Sequence, residues 1–278
     1  MRTIFHIADL HFGSEDPRLV QGLVDEITEV HPTLVAVSGE LTQRARRREF
    51  IAARAFLDSL PVPAIAVPGN HDIPLYNLYR RFFSPVRKFQ RHVSPDMAPL
   101  YADGEVAVLG INTARSNVLK AGRVSYRQIE LMRQRLCLIA PNVLKVLVVH
   151  HPFIPHPDEP EARLVRRGRQ LLEVAQECGL DLILAGHTHL GYGDDVRARY
   201  PEIERSILVF QAGTAAALRL RGGESNAYNR IMLDGAGLRL DVRAWDGTRF
   251  ASELTRDYRR EEHEWLVGAS PPTSAVAG

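Results

Sequence analysis

The sequence lacks any apolar run long enough to cross a bilayer, and it has almost no excess of either charge. Lysine and arginine total 35 against 33 aspartate and glutamate, a formal net charge of +2 over 278 residues. A dedicated nucleic-acid binder would carry a stronger basic field. The N-terminal stretch MRTIFHIADLHFG has no signal-peptide layout. We therefore expect no transmembrane segment, no stable nucleic-acid binding and a cytoplasmic location.

Cysteine is nearly absent as well. Cys137 and Cys178 are the only two, and their spacing does not fit a CxxC zinc or redox motif. We interpret both as small buried residues of helices in a reducing compartment. Low-complexity segments are lacking, apart from the tail GASPPTSAVAG at 268–278, whose composition predicts disorder. Residues 1–267 are left as one predicted domain, and 45% hydrophobic residues suffice for a sizeable core.

Short apolar runs rich in β-branched residues alternate with segments of helical periodicity, which indicates an α/β fold. The predicted strands of the first two thirds are 3–8, 33–38, 64–68, 106–111, 143–149 and 180–185. The first connection repeats apolar residues at helical spacing, namely Leu19, Leu23, Ile27 and Val30. Three more apolar runs within 206–246 predict a second sheet or a sheet edge. An edge strand there could pair with a second copy, so a homodimer is one expectation.

Polar side chains follow five of these predicted strands, close to the point where each strand ends. They are Asp9, His11, Glu40, Asn70, His71, His150, His151, His187 and His189. Because the carboxyl ends of parallel strands lie along one edge of a sheet, we expect these side chains to converge. Any one of them alone fits a helix cap, a turn or a hydrogen-bonded loop histidine. Together they form a ligand set without thiolate, which suits Mn, Fe, Zn, Ni or Co ions.

The ordered blocks DLH, GEL, GNHD, HH and GHTH, within residues 9 to 189, resemble the five signature blocks of the calcineurin-like metallophosphoesterase superfamily. The resemblance implies a four-layer α-β-β-α sandwich of two mixed sheets, with two metal ions above the strand ends. The ligands it implies for one ion are Asp9, His11 and His189. The ligands it implies for the other ion are Asn70, His150 and His187. Glu40 would bridge the two ions, and His151 would pack or hydrogen-bond behind them.

The resemblance also implies phosphodiester hydrolysis by a hydroxide held between the two ions. His71 would stand beside the substrate, where it would stabilise the phosphoryl oxygens or protonate the leaving group. Asp72 would lie behind His71 and orient its imidazole. The GNHD block and the chain length are similar to the bacterial cyclic-nucleotide phosphodiesterase branch. A related branch cleaves the pyrophosphate of UDP-diacylglucosamine in lipid A synthesis, and it stays open as an alternative.

A basic and aromatic segment follows the GNHD block. Residues 75–92 hold five lysines and arginines and five aromatic residues, without an acidic residue. They predict one or two amphipathic surface helices with a solvated basic face, or a surface for a nucleotide or a lipid-linked diphosphate. Candidate substrate contacts are Arg80, Arg81, Asn112 and Arg115, although a structural turn explains the last two equally well. The basic run at 44–49 is expected to face solvent.

One block departs from the family pattern, because Glu40 stands where the family has aspartate after the glycine. The extra methylene moves the carboxylate by about 1.5 Å, which is comparable to a metal–ligand bond of about 2.0–2.2 Å. We expect a two-metal centre that works, fully or in part. The alternative from another class is an impaired, non-catalytic scaffold that binds a partner or a nucleotide.

Overall fold

Two mixed β-sheets form the centre of the structure, a computed structural model that describes residues 1–117, 121–218, 225–235 and 237–268. The strands are β1 (Arg2–Ile7), β2 (Leu34–Val37), β3 (Ala64–Ala66), β4 (Leu100–Ala102), β5 (Val106–Gly110), β6 (Leu144–Val148), β7 (Leu182–Ala185), β8 (Tyr192–Asp195), β9 (Leu208–Gln211), β10 (Ala227–Asp234), β11 (Gly237–Trp245), β12 (Phe250–Glu261) and β13 (Glu264–Val267). The helices are α1 (Pro17–Val30), α2 (Arg47–Ser59), α3 (Leu78–Phe83), α4 (Arg87–His92), α5 (Tyr126–Leu136) and α6 (Gly168–Glu177). Apart from Gly268, the predicted disordered tail lies outside the described residues.

The first sheet has the strand order β13-β12-β11-β10-β1-β2-β3, and the second has the order β4-β5-β6-β7-β9-β8. Strands β1, β2 and β3 run parallel, as do β5, β6, β7 and β9, while the remaining pairings are antiparallel. The predicted strands are all present. Strands β4, β8, β12 and β13 were not predicted, because β4, β8 and β13 have only three or four residues and the long β12 carries mostly exposed polar residues.

Three apolar clusters separate four layers. The cluster between the sheets is built from strand residues of both, such as Ala36 and Ile65 of the first sheet with Val146 and Leu184 of the second. A second cluster joins the first sheet to α1, α2 and α4, and a third joins the second sheet to α5 and α6. Because both faces of the parallel strands are covered, their residues are buried except at the starts of β1 and β3, and apolar residues do not alternate with polar ones. The expected α-β-β-α sandwich is therefore confirmed.

Helix α1 shows how the sequence positions one of these layers. Its N-terminus is capped by Asp16, whose side chain accepts from the backbone N of Arg18, and a proline follows at the first helical position. Leu19, Leu23 and Ile27 are buried as predicted. Val30 is not part of the buried face, because it is the last residue of the helix and is 37% exposed.

The expectation of an edge strand within residues 206–246 is wrong. Strands β9, β10 and β11 are all interior, because each is hydrogen-bonded on both sides. The edges are β13 and β3 in the first sheet, and β4 and β8 in the second. A homodimer formed by pairing these interior strands is therefore excluded.

The two cysteines are not separate buried thiols, because Cys137 and Cys178 form a disulfide. They lie at the C-terminal ends of α5 and α6, and Cys137 is exposed. The pairing depends on strands β5, β6 and β7 being neighbours, which places the two helices side by side although the cysteines are 41 residues apart. A disulfide gives no support to a reducing compartment, and the cytoplasmic location stays a prediction. Over the described ranges, no helix combines the length and apolarity needed to span a membrane.

Reducing this disulfide should lower the free energy of unfolding by about 2–4 kcal/mol, because the crosslink restricts the unfolded chain. Urea unfolding with and without dithiothreitol measures the difference. The Cys137→Ser/Cys178→Ser double variant should unfold like the reduced protein and should not respond to dithiothreitol. Coincident curves for the oxidised and reduced wild type would contradict the stabilising role.

Candidate metal centre

The loops that follow β1, β2, β3, β6 and β7 meet where the carboxyl ends of the two sheets approach each other. One group of side chains places its ligand atoms within 4.8 Å of one another, and its members are Asp9, His11, Glu40 and His189. A second group meets the same distance limit, and its members are His150, His151 and His187. Asn70 borders the second group, with Nδ2 3.3 Å from His187 Nδ1 and Oδ1 2.7 Å from His151 Nε2. The structure thus brings all of the predicted ligands together.

The carboxylate of Glu40 lies between the two groups and contacts each through a different oxygen. Oε2 is 3.1 Å from His11 Nε2 and 3.7 Å from His189 Nε2. Oε1 is 3.3 Å from His150 Nε2. The extra methylene packs over Gly69, where an added Cβ would lie 2.4 Å from Glu40 Cγ. The same Cβ would lie 2.5 Å from the backbone N of Glu40, so the close approach of the two turns requires glycine at position 69.

The backbone of the site is strained at several of the predicted ligands. Five of them have a left-handed conformation, namely Asp9 (φ 53), His11 (φ 50), Glu40 (φ 52), His187 (φ 78) and His189 (φ 63). Such a conformation costs a residue other than glycine on the order of 1–3 kcal/mol. Hydrogen bonds between the loops hold it, because Asp9 N donates to Gly39 O at 3.2 Å and His11 N donates to Glu40 O at 2.9 Å. Strain concentrated here is typical of a functional site.

Asp72 does not orient His71 in the way expected. Its buried carboxylate accepts from Gly69 N at 2.9 Å, from Leu41 N at 3.2 Å, and from both the backbone N and the hydroxyl of Thr42 at 2.9 Å. These donors belong to the turns that carry Glu40 and Asn70, so Asp72 positions those turns. The imidazole of His71 is held by a backbone carbonyl instead, with Nδ1 2.7 Å from Gln43 O.

Four further contacts fix the ring orientations of His150, His189 and His151. His150 Nδ1 lies 2.9 Å from Ser38 O, and a carbonyl can only accept, so this nitrogen carries the proton and Nε2 is directed towards Glu40. His189 Nδ1 is hydrogen-bonded to Thr214 Oγ1. His151 uses both ring nitrogens, one on Asn70 Oδ1 and the other on Thr113 Oγ1 at 2.8 Å.

The electrostatics of the centre fit a cation. Asp9 Oδ1 and Glu40 Oε2 are buried, and no donor among the described residues makes a hydrogen bond to either. Burial, followed by the charge of Glu40, raises the pKa of Asp9 to about 7. Burial lowers the pKa of His150, but hydrogen bonding to Glu40 and the charge of Glu40 outweigh it and raise this pKa to about 9. Two buried carboxylates within one histidine cluster are the donor set of a borderline divalent metal.

Asp9→Asn should stabilise the metal-free protein at pH 8 by roughly 2–4 kcal/mol. The upper value is the free energy that corresponds to a pKa difference of about three units between the folded and unfolded states. The folded-state pKa of about 7 exceeds the unfolded value of 3.8. The stability that the Asp9 proton contributes is therefore present at low pH and is lost as pH rises through 7. Chemical unfolding in chelator, compared at pH 5 and pH 8, measures the difference between variant and wild type.

The same variant should gain much less stability than the wild type when Mn²⁺ is added, because one charged ligand is lost. The matched control is Asp25→Asn, which removes an exposed carboxylate on α1. An Asp9→Asn protein that is less stable than the wild type in chelator at pH 8 would contradict the electrostatic account.

A cavity of about 690 Å³ opens above the two groups of candidate ligands. Four arginines line it, namely Arg44, Arg81, Arg115 and Arg163. None of the four takes part in an ion pair with an acidic side chain in the described parts of the chain. Burial lowers the pKa of the Arg81 and Arg115 guanidinium groups. Unpaired arginines at a cavity wall are suited to hold an anion such as phosphate.

Two of the predicted substrate contacts do not line this cavity. Arg80 lies on the exposed side of α3. Asn112 uses its amide oxygen to accept from Ala114 N at 2.8 Å, which is the turn role that the sequence left open. Arg44 and Arg163 were missed, because both lie in charged stretches typical of a solvent-facing surface. The arginines of the basic run at 44–49 are exposed as expected, and Arg44 also borders the cavity, while Ala45 and Glu49 of the same run are buried.

The profile of the calcineurin-like phosphoesterase family matches residues 2–191. The chain therefore belongs to the calcineurin-like phosphoesterase family, as the ordered motif blocks indicated. It is 26% identical over 204 residues to a probable cyclic nucleotide phosphodiesterase of Synechococcus sp., which covers 68% of this chain and 74% of that relative.

Solved structures show the same fold. A dimetal phosphatase from Danio rerio matches with a TM-score of 0.63 and 15% identity, over 87% of this chain and 96% of the other. Purple acid phosphatase PPD1 from yellow lupin matches with a TM-score of 0.68 and 12% identity, over 91% of this chain. This chain spans only 53% of the lupin enzyme. At these identities the likeness concerns the fold alone.

Proposed function

We propose that this protein is a phosphodiesterase that depends on two metal ions, with Glu40 as the shared ligand. The observation that carries the proposal is the division of the Glu40 oxygens, with Oε2 on His11 and His189 and Oε1 on His150. A carboxylate between two ligand groups offsets part of the repulsion between two cations. When bound, two such ions would supply an activated water and would neutralise charge on the phosphoryl oxygens.

The placement of the side chains supports the ligand assignment that the family resemblance implies. Asp9, His11 and His189 would hold one ion. Asn70, His150 and His187 would hold the other. His151 is the competing candidate in the second group, but both of its nitrogens already have partners in Thr113 and Asn70. We therefore assign His151 to the support of Asn70.

His71 is the residue that we assign to proton transfer. Its Nδ1 lies on the carbonyl of Gln43, so this nitrogen carries a proton and Nε2 is left for the substrate. The side chain lines the cavity and its ring lies 5.0 Å from the ring of His11. In the imidazolium form of His71, Nε2 carries the second ring proton and can donate it to a phosphoryl oxygen or to the leaving oxygen. Arg81 and Arg115 would orient the substrate phosphate from the cavity wall.

A cyclic nucleotide is the substrate class that we favour. The cavity volume lies in the range of small-molecule sites, and the Synechococcus relative is named as a probable cyclic nucleotide phosphodiesterase. A UDP-diacylglucosamine-type diphosphate is the second candidate, because the exposed apolar residues Leu75 and Tyr76 also line the cavity. Hydrolysis of a cyclic nucleotide and of a UDP-lipid, measured side by side on one preparation, separates the two.

The central experiment combines metal analysis with turnover. The protein is stripped with chelator, titrated with Mn²⁺, and assayed for bound metal and for hydrolysis of bis(p-nitrophenyl) phosphate. We expect two ions per chain and a rate that rises with occupancy. If the protein binds two ions but hydrolyses no diester, the phosphodiesterase proposal is wrong. If it binds no metal, the result favours the non-catalytic scaffold.

A further inference from the structure

Helix α3 and the residues before it expose a cluster of large apolar side chains beside the cavity. Sixteen large apolar residues are exposed among those that the structure describes, and six of them fall within nine consecutive positions. We call these six the exposed patch, and they are Leu75, Tyr76, Leu78, Tyr79, Phe82 and Phe83. Tyr79 and Phe83 are 72% and 76% exposed, and their rings pack on each other at 4.9 Å. A cluster of this kind marks an interaction surface.

The polarity of α3 is opposite to that of an ordinary surface helix, which buries its apolar side. Its buried residue is Arg81, which lines the cavity, while the aromatic residues face outward. In the next helix, α4, the aromatic side chain of Phe89 is fully buried. The outward aromatic face is therefore a property of the exposed patch and not of the whole segment.

The cations around the patch point to the chemistry of its partner. Arg80, Arg87 and Arg91 are exposed, and none forms an ion pair in the parts of the chain that the structure describes. Residues 73–95 include no acidic residue. A symmetric dimer would set this patch against itself and bring like charges together. Charge complementarity therefore favours an anionic surface over a second copy.

We propose that the exposed patch docks on the surface of an anionic phospholipid bilayer. Aromatic side chains that alternate with arginine match the membrane–water interface, where the rings enter the headgroup region and the cations contact lipid phosphates. Leu75 and Tyr76 belong both to the patch and to the cavity wall. Docking therefore places the cavity mouth at the level of the lipid headgroups.

Vesicle sedimentation with the full chain tests this. The vesicles contain phosphatidylcholine alone or phosphatidylcholine mixed with phosphatidylglycerol. We expect binding only to the anionic vesicles, and we expect it to weaken as NaCl is raised. Arg87→Gln/Arg91→Gln should lower the partition coefficient about tenfold or more, because each arginine should contribute about fivefold to vesicle binding. The matched control, Arg249→Gln/Arg259→Gln, removes two exposed arginines away from the patch, one in the turn before β12 and one on β12, and should bind like the wild type.

A second variant removes the apolar contribution. Tyr79→Ser/Phe82→Ser/Phe83→Ser should lower vesicle binding about tenfold or more, while Tyr126→Ser/Leu138→Ser/Val267→Ser removes equally exposed side chains elsewhere and should not. Hydrolysis of soluble bis(p-nitrophenyl) phosphate should be unchanged in the patch variant, so vesicle binding is judged separately from catalysis. Unchanged binding by the patch variant, or equal affinity for neutral vesicles, would overturn the proposal. So would a dimer in solution that the patch variant dissociates.

Discussion

Glu40→Gln should lower metal affinity about 10²- to 10³-fold and reduce the bound metal below two ions per chain. The variant keeps the shape of the side chain and removes its charge, so the imidazoles on either side lose a buried anionic partner. Removing one partner of a buried charge pair costs about 3–5 kcal/mol, and each 1.4 kcal/mol is about tenfold in affinity. Metal analysis after dialysis at limiting Mn²⁺ measures the loss directly. Turnover should fall at least in proportion to the fraction of chains with two ions.

Glu40→Asp separates the need for charge from the need for length. Glu40 Oε2 lies 3.1 Å from His11 Nε2, and Glu40 Oε1 lies 3.3 Å from His150 Nε2, so each oxygen contacts a histidine of a different group. Shortening the side chain withdraws the carboxylate by about 1.5 Å, so we expect one metal site to weaken while the other keeps its ion. Glu130→Gln, which changes an exposed glutamate of α5, is the matched control.

Two outcomes would contradict this role of Glu40. If Glu40→Gln retains two ions and full turnover, the carboxylate is not a shared ligand. If Glu40→Asp binds metal more tightly and turns over faster than the wild type, the glutamate impairs the centre. The second result would revive the interpretation of the chain as a weakened enzyme or a scaffold.

The convergence of the candidate ligands could be predicted because their placement depends on strand order. Each predicted ligand follows a buried strand, and parallel neighbours such as β1, β2 and β3 deliver their loops to one edge whatever the details of the turns. The left-handed conformation of Asp9 and Glu40 could not be predicted, since local propensity disfavours it. It is imposed by the hydrogen bonds between the loops after β1 and β2.

The supporting contacts were harder to predict than the ligands. Asp72 is adjacent to His71 in sequence, but its carboxylate turns to the backbone of residues 41 and 42. The buried Cys178 meets the exposed Cys137 only because two helices share one face of the second sheet. Such contacts depend on side-chain direction and on distant neighbours, neither of which a linear pattern specifies.

For the aromatic residues of 75–92, the helices could be predicted from the sequence, but the side of each helix that is buried could not. Their helical spacing predicted amphipathic helices, and two short helices are present. The side that faces the protein could not be inferred, because arginine and aromatic residues alternate closely enough for either side to be buried. In α3 the buried residue is Arg81, which lines the cavity, while Phe82 and Phe83 are exposed.

His71→Asn should reduce kcat about 10²- to 10⁴-fold, the range of general acid–base catalysis, without loss of bound metal. Asparagine can still reach the carbonyl of Gln43 but cannot transfer a proton. The loss should be larger for a diester with an alkyl leaving group than for bis(p-nitrophenyl) phosphate, because nitrophenolate leaves without protonation. Steady-state kinetics on the two substrates, with metal content measured on each sample, gives the comparison.

Asp72→Asn is the informative neighbour in this experiment. Because Asp72 holds the turns that carry Glu40 and Asn70, its replacement should lower metal affinity and slow both substrates equally. His31→Asn, at the exposed end of α1, is the silent control. If His71→Asn slows the two leaving groups by the same factor, proton donation is excluded, and the imidazole acts by binding the phosphoryl oxygens. If it removes metal instead, His71 belongs to the ligand set, and the division between catalytic and metal-binding residues must be redrawn.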